Sequence, residues 1–501
     1  MEDKMQPFEE FYESIGFKKY PFRERTAEKE NIEKLFIAPP DYSIISEAFQ
    51  AGETAIISGN RGTGKTMLLQ NIKKRIPPNT IIADIENYEG VPTTKNQIAF
   101  YALIVKNVVA QTLVYLSNNK KSIKKLNKED KIFLSFLIMK YADYFTGSEV
   151  ATKIENVQLH PLKRLINKAS TPITLLLNFG TTAAANFGYT LLNDQFSKYL
   201  PPVNEGQIKK IFPDIHFAVA NDFKSVDISY SLLDKTLLLI EKLQNKKAII
   251  IFDKFDEDTR LENDAELTAD FIKELICDNN LLLNKHAQFF ISIWEIPFTR
   301  LLTSFRKSKH TVFSIYWRRD ELEKVLNRRL SIYSDGKIQC YKTLFAADVS
   351  VESINQIFNL SNMNPRDLWA VFDSIFNEQY KIGGKIHTLS ENAITGGLVT
   401  FVKSFGFYEY YPKKKSSRKN TNDVYSYIRH LLQLNNMDEF TQDQLRTAAS
   451  TGGSTTNYIT GMMAIGLVTK TDIKRPGGAV VYKVHDPKVS YAIFNKIAID
   501  H

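Results

Sequence analysis

One stretch of this chain, AIISGNRGTGKTMLL, restricts what it can fold into more than any other. Small apolar residues around Thr54 to Ser58 lead into three glycines, a lysine and a threonine, and Met67 to Ile72 continues with helical spacing. Gly59, Asn60, Arg61, Gly62, Thr63, Gly64, Lys65 and Thr66 satisfy the pattern G-x-x-x-x-G-K-[ST]. Glycines let successive backbone N–H groups turn inward without a clashing Cβ, so such a loop becomes a nest for anionic oxygens. The flanking pattern predicts a buried strand before the loop and a helix after it, with the positive end of the helix aimed at a phosphate. Lys65 is then placed to reach β- and γ-phosphates, and the Thr66 hydroxyl to ligate Mg²⁺. The predicted fold class is therefore α/β, a P-loop NTPase parallel sheet.

A phosphate loop of this kind needs a second strand ending in an acid that holds the metal. The stretch AIIIFDKFDED is the one shaped for it, and it makes Asp253, after a run of apolar residues, the metal-side carboxylate. Thr66 and Asp253 are the predicted metal ligands. The next residue is Lys254, where many ATPases carry a glutamate that polarises the attacking water; slow hydrolysis is expected, with Asp256 or Glu257 as a substitute base. Further strands are expected in NTIIADIENYEG, ending near Asp84, and in AQFFISIW over 287–294. These short continuous apolar runs between helical stretches suit central parallel strands.

The chain has 501 residues, enough for two to four domains with a large core. At 43% hydrophobic and 24% charged it has the make-up of a soluble protein, and its +9 net charge favours an acidic partner without naming one. Cys277 and Cys340 stand in no metal-type spacing, so reduced thiols and a cytoplasmic location are expected, and MEDKMQPFEEFYESIGF does not read as a signal peptide. The predicted organisation is a leader over 1–50, an ATPase core over 51–316 with a helical insertion at about 94–236, a helical lid over 317–411, a basic linker over 412–420 and a winged helix over 421–501. The uncharged segment from Ala169 to Asn193 has the length of a membrane span but carries asparagines, threonines and glycines; a buried or pairing segment is expected there, and no membrane contact.

The loop GNRGTGKT, the strand IIIFDKFDE, the strand FFISIW and the later NMNPRDLWAVFDSIF stand in the order of AAA+ ATPases of the origin-recognition type and of related STAND and KAP-like bacterial signalling ATPases, which the chain resembles over about half its length. The leader, the APPDY turn and the large insertion look more like bacterial ATPases of mobile or anti-phage defence loci. The resemblance implies that Arg366 acts as a sensor-2 residue reaching from the lid to the γ-phosphate, a role suited to a planar, permanently charged fork. It implies a sensor-1 group at Ser292 or Glu295, and an arginine finger among Arg300, Arg306, Arg318 and Arg319 that would serve a neighbouring subunit of a homo-oligomer.

After the linker, Val424, Tyr427, Ile428, Leu431 and Leu432 share a helical face, TQDQLRTAA gives a second helix, and STTNYITGMMAIG a third with Ser454 as its N-cap. DIKRPGGAVVYKVHD reads as a hairpin. That order matches a winged helix, with Thr455, Thr456, Asn457 and Thr460 facing a DNA groove and Lys413, Lys414, Lys415, Lys474 and Arg475 gripping phosphate, or else a protein-docking module. The expected function is an ATP- and Mg²⁺-dependent switch acting on DNA or a partner effector, plausible in anti-phage defence; a DNA-binding initiator or loader and a non-hydrolysing nucleotide-binding scaffold are the alternatives.

Overall fold

The computed structural model describes residues 7–24, 32–141, 198–201, 225–383, 387–413 and 423–499. The segment from Ala169 to Asn193, most of the expected insertion, and Lys414 and Lys415 lie outside them.

Five strands, β1 (Ala55–Gly59), β2 (Ile82–Ile85), β3 (Ala248–Phe252), β4 (Ala287–Trp294) and β5 (Thr311–Ser314), form one sheet in the order β2-β3-β4-β1-β5. Every pairing in it is parallel. Alternate side chains leave opposite faces of a strand, and both faces here are covered. Ile56, Ile250, Phe252, Phe289 and Ile291 pack with the helices Gln97–Asn118, Val226–Gln244 and Ala265–Ile276. Ile57, Ile249, Ile251, Phe290 and Phe313 pack with Tyr42–Ala51 and Lys65–Arg75. Double-sided cover explains why β1, β3 and β4 are buried throughout and mostly apolar, with Ser58, Gln288 and Ser292 the polar exceptions. Among the described residues one helix, spanning Gln97–Leu116, is long and apolar enough to cross a membrane. Its Phe100, Ile104, Val108 and Val109 are buried against the sheet.

A second core is helical. Arg319–Tyr333, Val351–Leu360, Pro365–Ile382 and Glu391–Ser404 pack around Leu326, Phe358, Leu368, Phe372 and Phe376. The leader's aromatic residues complete it: Phe22 stacks on Phe372 at 5.0 Å between centroids, and the Tyr20 hydroxyl donates to Asp373 at 2.7 Å. Asn364 caps the helix Pro365–Ile382 through the Arg366 amide, with proline in the first turn where no N–H is required.

The C-terminal residues build three helices, Val424–Leu431, Gln442–Ala449 and Thr455–Ala464, beside an antiparallel sheet in the order β6-β8-β7, made of β6 (Glu439–Thr441), β7 (Val468–Arg475) and β8 (Ala479–Val484). The last helix, Pro487–Asn495, packs back onto Glu391–Ser404 and Val351–Leu360. Ser454 makes no side-chain cap. Thr455 is fully buried and donates to the Gly452 carbonyl at 2.8 Å, so it is not presented outward; Thr456, Asn457 and Thr460 are exposed.

Candidate nucleotide-binding site

The glycine loop leaves the carboxyl end of β1 and closes into the helix Lys65–Arg75 through Gly64 at φ 96°. Gly62, at φ 83°, is demanded by packing as well: a Cβ there would lie 2.6 Å from Asn364 Oδ1 and 2.7 Å from Arg366 Cβ. The helix Pro365–Ile382 therefore starts directly against the loop. Asn364 Nδ2 donates to the Arg61 carbonyl at 2.6 Å, which holds the loop and the start of that helix together.

Lys65 is buried and donates to the Gly59 and Asn60 carbonyls at 2.9 and 3.0 Å. Burial lowers its pKa, and the nearby Asp256 and Asp253 charges oppose that shift. Asp253 stands just beyond β3, where Phe252 pairs with Ile291, so its neighbour on β4 is Ser292. The Thr66 hydroxyl donates to Asp253 Oδ2 at 2.9 Å. Burial raises the Asp253 pKa, while the Ser292 and Thr66 hydroxyls and Lys65 pull it back. Hydroxyl and carboxylate thus meet as a hard oxygen pair of the kind that suits Mg²⁺, beside a backbone nest that suits phosphate.

Lys254 turns away from this pair. It adopts φ 63° and reaches Glu86 at 2.9 Å. Asp256 comes back toward the loop: Arg61 Nε donates to Asp256 Oδ2 at 2.5 Å and Arg61 Nη2 to its carbonyl at 2.8 Å, with the guanidinium 4.5 Å over the Trp294 ring. Burial alone would raise the Asp256 pKa, but the Lys65 and Arg61 charges outweigh it and hold the carboxyl below the ordinary range. Glu257 is exposed at the rim of the same cavity. Arg366 lines the cavity from the first turn of the helix Pro365–Ile382, 3.9 Å from Glu409.

The cavity has a volume of about 880 Å³. Its lining combines the glycine loop, Asp253, Asp256 and Arg366 with the apolar side chains of Leu35, Phe36, Ile37, Trp317, Val325 and Trp369. Apolar walls with a few converging polar and charged groups are the make-up of a small-molecule or cofactor pocket. Of the residues expected from the sequence, Arg61, Gly62, Thr63, Gly64, Lys65, Thr66, Asp253, Asp256, Glu257 and Arg366 line this cavity. Gly59 and Asn60 meet Lys65 through their carbonyls, while the sensor-1 candidates Ser292 and Glu295 are not in its lining. Trp317 Nε1 braces the loop by donating to the Thr63 carbonyl at 3.0 Å. Residues without a local sequence signal also reach it. Lys413, expected in a DNA-binding linker, lines its rim together with Tyr408 and Glu409.

No family model matches the chain, and no curated protein matches it. A solved structure described as "Structure of Drosophila ORC bound to DNA" aligns over 98% of this chain and 93% of that one, at 10% identity and a TM-score of 0.29. A likeness that low carries no argument. The chain is an α/β protein whose parallel sheet is consistent with a P-loop-like fold.

Proposed function

We propose that the chain is a P-loop ATPase switch: it holds ATP·Mg²⁺ between sheet and lid, hydrolyses it slowly, and uses the state of the phosphate end to govern a C-terminal winged-helix module. The observation that carries this reading is the convergence, in the lining of one cavity, of the glycine loop with Lys65, the Thr66–Asp253 pair at 2.9 Å, and Arg366 on the helix Pro365–Ile382. In this reading Lys65 binds the phosphates, Thr66 and Asp253 hold the cation, and Mg²⁺ bound there neutralises charge on the phosphate oxygens. Arg366 and the loop belong to different cores, so a ligand gripping both favours their closed arrangement. Such differential affinity is the physical requirement for a switch.

Two interactions support slow turnover. Lys254 occupies the position next to Asp253 and is engaged by Glu86, so no carboxylate stands there. Asp256, the better-placed substitute, is engaged by Arg61 through its carboxylate and its carbonyl. For the C-terminal module, the exposed Lys470, Lys474 and Arg475 on β7 support contact with nucleic-acid phosphate.

Lys65→Ala tests the site. ATP binding measured by titration calorimetry is expected to weaken at least tenfold, about 1.4 kcal/mol, with the thermal unfolding profile retained. Equal affinity in the variant would end the nucleotide reading.

A further inference from the structure

The segment from Phe407 to Lys413 joins the lid to the C-terminal module, and its polar groups are divided between two sets of partners. Toward the cavity, the Tyr408 carbonyl accepts from Arg61 Nη1 at 3.4 Å and from Asn263 Nδ2 at 2.6 Å. The Tyr410 hydroxyl lies 3.3 Å from Asn60 Nδ2 and 2.8 Å from Asn362 Nδ2, bridging glycine loop and lid. The Lys413 amide donates to the Asn263 carbonyl at 2.9 Å. Toward the module, the Tyr408 hydroxyl donates to Asp423 at 2.6 Å and the Tyr411 hydroxyl to Asp486 at 2.8 Å. Asp423 and Asp486 are the N-caps of Val424–Leu431 and Pro487–Asn495. One short strap thus touches the phosphate loop with one set of groups and the caps of the module's first and last helices with the other.

We propose that this strap is a latch, released by nucleotide phosphate through Arg61, that couples the cavity to the C-terminal module; this rests on reading the cavity as a nucleotide site. Arg61 holds the strap by its longest hydrogen bond, to a neutral carbonyl, while its other donors hold Asp256. A phosphate oxygen carries charge and makes a stronger, shorter bond to a guanidinium than a carbonyl does. Phosphate entering the loop therefore draws Arg61 off Tyr408. The strap keeps its bonds to Asp423 and Asp486 and moves with the module. Coupling is reciprocal, so weakening the latch strengthens nucleotide binding.

Amide hydrogen exchange on the full chain, with and without ATP·Mg²⁺, tests this. The expected result is slower exchange in the glycine loop and faster exchange over 407–413, a response that Arg61→Gln removes. Protection of the loop with unchanged or slower exchange in the strap overturns the latch and leaves the nucleotide site standing; no protection of the loop overturns both. Tyr410→Phe gives a second reading: it removes only the hydroxyl, and ATP is expected to bind about threefold more tightly, the scale of one net hydrogen bond. A merely structural role predicts weaker or equal binding, and either outcome rejects the proposal. Asn263→Gly, which suits the left-handed backbone at φ 57° and deletes the bond to the Tyr408 carbonyl, is expected to act in the same direction as Tyr410→Phe, and weaker or equal binding there also counts against the latch.

Discussion

The glycine loop beside the cavity and the C-terminal hairpin both present cations, in opposite settings. Lys65 is 9% exposed and the Arg61 side chain 14%, each hydrogen-bonded on more than one side, whereas Lys474 and Arg475 stand in solvent. Around the cavity, burial raises one aspartate and lowers a lysine, and neighbouring charges reverse the shift at a second aspartate. Each charge on the hairpin is screened by water and salt. Buried charges act as a set that fails when one member is removed. Exposed charges act additively, each with a small effect. Substitutions in the two regions should therefore differ in size and in kind.

The largest effect is expected where a buried cation joins the module to the lid. Lys488 is fully buried; its ammonium donates to Asp367 at 3.2 Å and lies 4.4 Å from the Phe405 ring centroid, with Asp486 4.0 Å away. Lys488→Met leaves two buried carboxylates without their counter-charge, and destabilisation by about 3–5 kcal/mol is expected. Denaturant unfolding of the variant measures it. A change near zero would show that the junction opens to water and behaves like the hairpin.

Asp253→Asn comes next. It keeps the volume and removes the charge paired with Thr66, so Mg²⁺-dependent turnover should fall on the order of a hundredfold, the scale of one preorganised electrostatic interaction in an active site. Phosphate release assays with Mg²⁺ and with EDTA separate this from a general loss of fold. Equal rates with and without the charge would remove Asp253 from the metal site.

Much of this region was legible in the sequence, because a phosphate loop, the strand before it and an acid after a second apolar strand are local patterns. Strands covered on both faces need continuous apolar residues, which is why AIIIF and AQFFISIW read plainly as strands. β5 did not, since TVFS is a short edge strand in which Phe313 alone is fully covered. The partners that give the site its electrostatics were also invisible. Asp256 stood out as an acid, but Arg61 is 195 residues away in sequence, and the Tyr408 carbonyl that Arg61 touches is a backbone group with no residue signature. The leader's aromatics enter a helical core that lies far along the chain, as the 353-residue separation of Tyr20 and Asp373 shows, and no local pattern announces such a partner.

pH offers a third contrast, of intermediate size. Burial raises the Asp253 pKa, and a protonated carboxyl no longer binds a divalent cation. The Mg²⁺-dependent part of ATP affinity should be complete near neutrality and decline as pH falls through a value above the ordinary aspartate range, approaching about tenfold per pH unit below it. Asp256 runs the other way: its folded pKa is depressed, so the stability contributed by its pair with Arg61 is present above the unfolded pKa and lost only as pH falls through the lower folded value. Titrations of ATP affinity and of thermal stability against pH should show the metal-dependent binding failing first. Simultaneous failure would mean that both carboxyls titrate alike and that burial does not separate them.

The smallest effects belong to the hairpin. If Lys474 and Arg475 touch phosphate, Lys474→Gln and Arg475→Gln should each weaken duplex DNA binding almost equally across sequences. The slope of log affinity against log salt should flatten by about 0.9 for each phosphate no longer neutralised, because one fewer counterion is released. Asn457, exposed on the helix Thr455–Ala464, probes base recognition instead. An asparagine amide pairs with adenine through two hydrogen bonds in the major groove, so Asn457→Ala should change preference among sequences while leaving the salt slope alone. Anisotropy titrations of the full chain against two duplexes at two salt concentrations distinguish these responses. A module that docks protein shows neither, and absence of DNA binding at low salt would assign the exposed hairpin to a protein partner. The additive, salt-dependent behaviour expected here is what solvent-exposed charges must give, and a single hairpin substitution that abolished binding outright would break the contrast with the buried set around Lys65.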